Sequence, residues 1–151
     1  MLDLSRADFT FVFEFGRVRD AVMRVDIIHA GNINSVPCKW DGDIGRGLIT
    51  IPIRLPTLLT FVTSGKGETD TIVDEQGNII KDCYARITEA YLDGFRLNDH
   101  FLYKKITLLA DNGQLVTSNY FGFNGKAILD LPRNSVFTQY CLLNQWVEPD
   151  Q

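Results

Sequence analysis

Histidine is nearly absent from this chain, and cysteine is sparse and scattered. The two histidines are His29 and His100, and the three cysteines are Cys38, Cys83 and Cys141. No Cys-x-x-Cys or His-x-x-x-His pair occurs, so the ligand spacing of a zinc site and of a thioredoxin-type redox centre is missing. An odd number of widely separated thiols reads as small buried apolar groups made in a reducing compartment. Gly-x-Ser-x-Gly is also absent, which removes the nucleophile elbow of the serine hydrolases. Gly65-Lys66-Gly67-Glu68-Thr69 lacks the spacing of a phosphate loop and opens no helical pattern. A hydrolase built on paired carboxylates would need two acids tied to a cleft, and no pattern ties two here. The chain therefore reads as a non-enzyme.

Long apolar runs are lacking too. None reaches the length of a membrane span, and Met1-Leu2-Asp3-Leu4-Ser5-Arg6 lacks the basic-then-apolar order of a signal peptide. Positive charge is in the minority, with 15 Lys and Arg against 19 Asp and Glu and a net charge of −4. That sign disfavours nucleic acid or an anionic membrane as partner, since both need a basic surface.

What is present is a succession of short strands. The chain has 151 residues, 45% of them hydrophobic. That suits a single domain spanning 1–151, which would bury about two-thirds of its unfolded surface. Phe9, Phe11, Phe13 and Phe15 alternate with Thr10, Val12 and Glu14, the period of a half-buried strand. Met23, Val25 and Ile27 form a second strand before a turn at Gly31-Asn32. From Ile33 to Gly47 the pattern lapses into a loop that carries Trp40. Alternation returns from Leu48 to Leu55, where Pro52 marks an edge or bulged strand. A strand at Leu58 to Thr63 precedes a small hairpin, Thr71-Ile72-Val73 and Asn78-Ile79-Ile80, turned at Asp74 to Gly77. Tyr84 to Leu92 places Ala85, Ile87, Glu89 and Tyr91 on one face, and Asp93-Gly94 turns the chain into Phe95-Arg96-Leu97. A further hairpin is expected around Asp111-Asn112-Gly113, and Lys126 to Leu131 alternates once more. Pro132 and Asn134-Ser135 look like a break and an N-cap. Phe137, Tyr140, Cys141, Leu143 or Asn144, and Val147 then follow at near-helical spacing. The total of about nine or ten short strands and one short C-terminal helix predicts an all-β antiparallel β-sandwich of jelly-roll-like form.

Candidate sites fall in three loops. The acidic, Gly-punctuated stretch from Gly65 to Asp82 holds Glu68, Asp70, Asp74, Glu75 and Asp82. Calcium takes six to eight oxygen ligands, and Asp70, Asp74 and Asp82 are the candidates to supply them. The alternative is a solvated hairpin in which Asp74 and Gly77 serve only the turn. In the second loop Trp40 stands beside Asp41 and Asp43, where an indole would stack on a sugar ring or fold back over the core. In the third, Asn119 to Gly125 interleaves Tyr120, Phe121 and Phe123 with Asn124 and two glycines. It reads as a ligand contact or as a corner whose aromatics complete the core.

The run from Asp70 to Asp82, then Leu92-Asp93-Gly94 and Tyr120-Phe121-Gly122-Phe123-Asn124-Gly125, resembles small β-sandwich proteins of large tailed bacteriophages. The order of strand, acidic turn, strand ending in Asp-Gly and aromatic Gly-rich loop is also similar to that of calcium-dependent xylan-binding carbohydrate modules. The first resemblance implies a virion or host-interaction protein made in the host cytoplasm. The second implies a calcium ion held by Asp70, Asp74 and Asp82. The function expected is a non-enzymatic binding module recognising carbohydrate with calcium, with Trp40, Tyr120, Phe121 and Asn124 as ligand contacts. The alternative is a structural virion assembly protein, a capsid or tail accessory subunit, that forms a homo-oligomer through the edge around Pro52 and the C-terminal helix.

Overall fold

The structure is a computed structural model that describes residues 6–54, 57–67, 71–97, 106–109, 115–122 and 124–131. The described residues are all-β. In chain order the strands are β1 (Arg6–Gly16), β2 (Arg24–His29), β3 (Asn32–Ser35), β4 (Lys39–Asp41), β5 (Ile44–Arg54), β6 (Thr57–Ser64) and β7 (Thr71–Val73). They continue with β8 (Ile79–Asp82), β9 (Tyr84–Leu92), β10 (Phe95–Leu97), β11 (Ile106–Leu109), β12 (Leu115–Thr117), β13 (Tyr120–Phe121) and β14 (Gly125–Leu131). The expected C-terminal helix and the hairpin tip at Asp111-Asn112-Gly113 lie outside the described residues.

Two six-stranded antiparallel sheets stack on each other. The first runs β10-β9-β1-β5-β4, with β13 paired to the far end of β9. The second runs β12-β11-β14-β6-β2-β3, and β7 and β8 form a separate two-stranded hairpin. Strand β1 is central because it is the most apolar. Phe9, Phe11, Phe13 and Phe15 are each at most 1% exposed, and burying each contributes about 1.5–3 kcal/mol. The opposite sheet meets them with Val25, Ile27, Leu59, Phe61 and Leu129, all buried. Phe11 and Phe61 meet edge to face across the interface at 5.4 Å, the arrangement favoured by the ring quadrupoles.

Three differences from the sequence reading have physical causes. The stretch 33–47 is not a loop: it holds β3, β4 and the start of β5. Gly45 and Gly47, which read as breakers, are strand residues at close approaches. A Cβ on Gly45 would strike the Cys38 thiol, and one on Gly47 the Pro37 carbonyl oxygen. Second, β9 changes face midway. Phe13 pairs with Ile87 but Val12 pairs with Glu89, so Thr88 is the extra residue of a β-bulge. Ala85 and Ile87 point inward before the bulge, and Ala90 and Leu92 after it. Strict alternation had put Glu89 and Tyr91 on the Ala85 face. Third, Asn119 to Gly125 contains a short strand, β13, docked on β9.

Pro52 does lie at a sheet edge. Strand β4 covers only Ile44 to Arg46 of β5, so among the described strands Leu48 to Arg54 pairs on the β1 side alone.

Candidate functional site

The predicted site residues that the structure describes gather at one end of the two-layer core. This end is built from the β1–β2 turn, the β4–β5 turn, the loop after β6, the β7–β8 hairpin and the loop around β13. Its centre is the carboxylate of Asp82. Lys66 Nζ donates to Asp82 Oδ1 at 2.6 Å, Thr71 Oγ1 donates to the same oxygen at 2.6 Å, and the Tyr120 hydroxyl donates to Oδ2 at 2.5 Å. Lys66 Nζ also donates to the Gly122 carbonyl at 2.6 Å. The Lys66 and Asp82 side chains are 12% and 9% exposed, so the pair is largely out of water. Burial pushes the Asp82 carboxyl up, but donation from Lys66, Thr71 and Tyr120 outweighs it and holds the group below the usual carboxylate range.

Local sequence explains how these groups meet. Gly65 has φ +100, and a Cβ there would strike the Val22 carbonyl oxygen, so only glycine lets the chain turn Lys66 inward. The backbone of Lys66 then exchanges two hydrogen bonds with the Asn124 side chain. Lys66 N–H donates to Asn124 Oδ1 at 3.0 Å, and Asn124 Nδ2 donates to the Lys66 carbonyl at 2.7 Å. Asn124 is thus a brace for the Lys66 loop.

A second carboxylate stands beside the first. The rings of Tyr84 and Tyr120 stack at 5.1 Å. The Tyr84 hydroxyl donates to Glu14 Oε1 at 2.6 Å, and Arg86 pairs with the same carboxylate at 3.2 Å. The Tyr84 bond, foremost, and Arg86 hold the Glu14 carboxyl low. Burial, then the Glu14 carboxylate, push the Tyr84 hydroxyl up to about 12, and burial with Asp82 raises that of Tyr120.

The remaining residues divide. Asp74 sits at the hairpin tip, where Oδ1 accepts from the backbone N–H of Gln76 and of Asn78, both at 2.9 Å. This is turn capping. Asp82 is at the other end of the hairpin, paired with Thr71, so the two acids do not converge. Asp70 lies outside the described residues. Among the described residues, no three His, Cys, Asp or Glu side chains come together closely enough to hold a metal ion. With Asp82 bound to a lysine and Asp74 to its own turn, the donors that are described do not fit a shared calcium.

Phe121 must be corrected as a ligand contact. It is 1% exposed and stacks on Phe61 at 5.9 Å, completing the core. Tyr120, its neighbour, is 38% exposed. Trp40 is half-buried against Phe15, and the Arg17 guanidinium lies 4.8 Å from its ring centroid. The indole lines an open groove of about 830 Å³ together with Lys39, Asp41, Ile44 and Arg46. Arg17 and Lys81 both pair with Asp43, at 3.7 and 3.0 Å, linking the Trp40 side of this end to the hairpin.

Sequence reasoning did not identify Lys66, Glu14, Tyr84 or Arg86 as members of this network. The glycines flanking Lys66 were the available sign of a lysine carried inward by a tight turn. Comparison with protein-family models, curated proteins and solved structures finds no match to this chain.

Proposed function

We propose that this chain is a non-enzymatic structural protein that works by surface contact, an assembly subunit whose docking arm is the β7–β8 hairpin. One observation carries the reading. The hairpin is braced at its base by the Lys66–Asp82–Tyr120 cluster, yet it displays Val73, Ile79 and Ile80 at 52%, 64% and 66% exposure. A two-stranded ribbon is marginal alone in water. Rigid bracing of an apolar arm suits a partner surface, and clustered exposed apolar side chains commonly mark one. The partner is another subunit of the same particle, in the simplest case a second copy of this chain. The resemblance to small proteins of large tailed bacteriophages would make that particle a virion, assembled in the host cytoplasm. Two sheets joined by repeated crossings between layers agree with a jelly-roll-like sandwich.

Light scattering on the purified chain tests this reading. The wild type should form a defined oligomer, and the double substitution Ile79→Ser/Ile80→Ser should reduce it to monomer without loss of strand signal. A wild-type chain that stays monomeric at high concentration and does not co-purify with particles removes the proposal.

A second reading, a carbohydrate-binding module, is favoured by the placing of Tyr120, Trp40 and Asn124 at the same end. Their present engagements weaken it, because Trp40 is capped by Arg17 and Asn124 braces Lys66. Calorimetric titration with calcium and then with xylan-type glycans separates the two. Heat from glycan binding that is lost in Tyr120→Ala would favour this second function.

A further inference from the structure

We infer that residues 48–54 of β5 form a contact between two copies of this chain, joined edge to edge as one continuous sheet. The hydrogen bonds of β1 fix which way the backbone of β5 faces. Asp8 N–H donates to Asp93 Oδ1, the Asp8 carbonyl accepts from Asp93 N–H, and the Val12 carbonyl accepts from Thr88 Oγ1. Asp8 and Val12 thus turn their backbone groups toward β9 and the turn after it. In an antiparallel ladder the side alternates from one residue to the next, so Phe9 and Phe11 turn theirs toward β5. Phe9 pairs with Ile51 and Phe11 with Ile49, so Ile49, Ile51 and Ile53 direct their N–H and C=O at β1. Leu48, Thr50, Pro52 and Arg54 aim theirs away from it. On that side β4 reaches only Ile44 to Arg46, and no other described strand pairs there. Pro52 agrees with the assignment, because a proline facing β1 would break the ladder.

The register selects the occupant. A bare strand edge is a template for another strand, and this stretch is its own complement. Set antiparallel about Ile51, Leu48 exchanges both backbone bonds with Arg54 of the second copy. Thr50 N–H donates to the Pro52 carbonyl, the only backbone bonding group that Pro52 has. The two-fold axis supplies the reciprocal set, and of the outward groups only the Thr50 carbonyl is left over. Leu48, 59% exposed, lies along the Arg54 stem, and Thr50 lies against the Pro52 ring. Neighbouring registers do worse. One sets Arg54 opposite Arg46, where Lys39 of β4 already sits. The other sets Pro52 opposite Pro52, with no donor on either side. No like charges face each other directly across the seam. Arg46 and Arg54 of the second copy are diagonal neighbours, and on β1 Glu14 lies opposite Arg46 and Asp8 opposite Pro52. The seam is about 23 Å long and one sheet, about 10 Å, thick. That is well below the roughly 800 Å² per partner of a standard interface, so the pairing depends on concentration. This contact is separate from the β7–β8 hairpin and stands whether or not the hairpin docks.

Hydrogen exchange resolved by residue tests this on the full-length chain, dilute and concentrated. The amides of Ile49, Ile51 and Ile53, bonded within the chain, should exchange slowly at both concentrations. Those of Leu48, Thr50 and Arg54 should exchange fast when dilute and slow on the order of tenfold or more when concentrated. Thr50→Pro removes an outward donor that the fold itself does not use. It should return Leu48 and Arg54 to the dilute rate at high concentration and leave Ile51 and Ile53 slow. Ile79→Ser/Ile80→Ser should leave the slowing at the edge intact, and its loss there would assign the contact to the hairpin and overturn the proposal. Outward amides that exchange fast at every concentration would overturn it as well, even where an oligomer forms. Outward amides that are slow at every concentration would show the edge to be covered within one chain, and would also overturn it.

Discussion

The Tyr84 and Tyr120 rings stack at 5.1 Å with an 18° interplanar angle, and their hydroxyls donate to different carboxylates, Glu14 and Asp82. The stacked pair joins two polar clusters. One belongs to the outer side of β1 and β9, the other to the hairpin base. The hairpin is therefore fixed to the central strand of the first sheet through two aromatic rings.

Removing the cation at the hairpin base should be costly. Lys66→Met leaves the Asp82 carboxylate largely buried with only hydroxyl donors, and breaking a buried pair from one side costs about 3 kcal/mol. Urea unfolding monitored by circular dichroism measures this. Lys66→Met and Asp82→Leu should be non-additive, with a coupling of about 1 kcal/mol or more. Additive effects would mean that the two residues do not act as a pair.

Acid should destabilise the fold in a window to which Glu14 and Asp82 contribute, with the more exposed Asp43 and Asp74 also held low. The Glu14 and Asp82 carboxyls are held below their ordinary values of 4.5 and 3.8 in the folded chain. A lowered folded pKa gives stability that is fully present above the ordinary value and is lost as pH falls through the folded one. Stability should thus hold at neutral pH and decline below the ordinary values, and Glu14→Gln should make the acid limb shallower. An unchanged limb in that variant would show that Glu14 is not coupled to folding.

At alkaline pH the sign reverses. The Tyr84 hydroxyl is raised from 10.0 to about 12 in the folded chain. The folded state therefore keeps a proton that the unfolded state gives up, and stability should fall as pH climbs from 10 toward 12. Absorbance titration of tyrosinate should show Tyr84 and Tyr120 ionising only above the ordinary tyrosine range. Tyr84→Phe should remove one of the late-titrating groups.

Phe61 connects the sheets and the β13 loop, meeting Phe11 at 5.4 Å and Phe121 at 5.9 Å. Phe61→Ala should cost about 3–5 kcal/mol. A double-mutant cycle with Phe11→Leu should return about 0.5–1.5 kcal/mol for the edge-to-face contact. A loss under about 1 kcal/mol for Phe61→Ala would mean that the layers do not pack on this ring.

The all-β class was legible because period-2 alternation is a local signal. The four phenylalanines of β1 and the hairpin at Asp74 to Gly77 appear where their patterns put them. Strands β3 and β4 were not legible. Gly45 and Gly47 look like turn residues, and only the packing of Pro37, Cys38 and Trp40 against them shows why the side chains are missing. The face change in β9 depends on Thr88 slipping out of register with β1, which no pattern within β9 reports. The candidate site was legible as a region and not as chemistry. Asp82, Tyr120 and Asn124 were chosen, but the partner that defines their work is Lys66. It is bound to Asp82 across 16 positions, and its backbone to Asn124 across 58.

The position of β1 has a consequence for the nascent chain. This most apolar strand is made well before β9, against which it closes, so that Glu14 waits for Tyr84, 70 residues later. During synthesis four phenylalanines leave the ribosome well before that neighbour exists. Pairings this distant in sequence form slowly, over milliseconds to seconds. The growing chain thus passes through a sticky interval in which a holdase chaperone, or slower translation at low temperature, should raise the soluble yield.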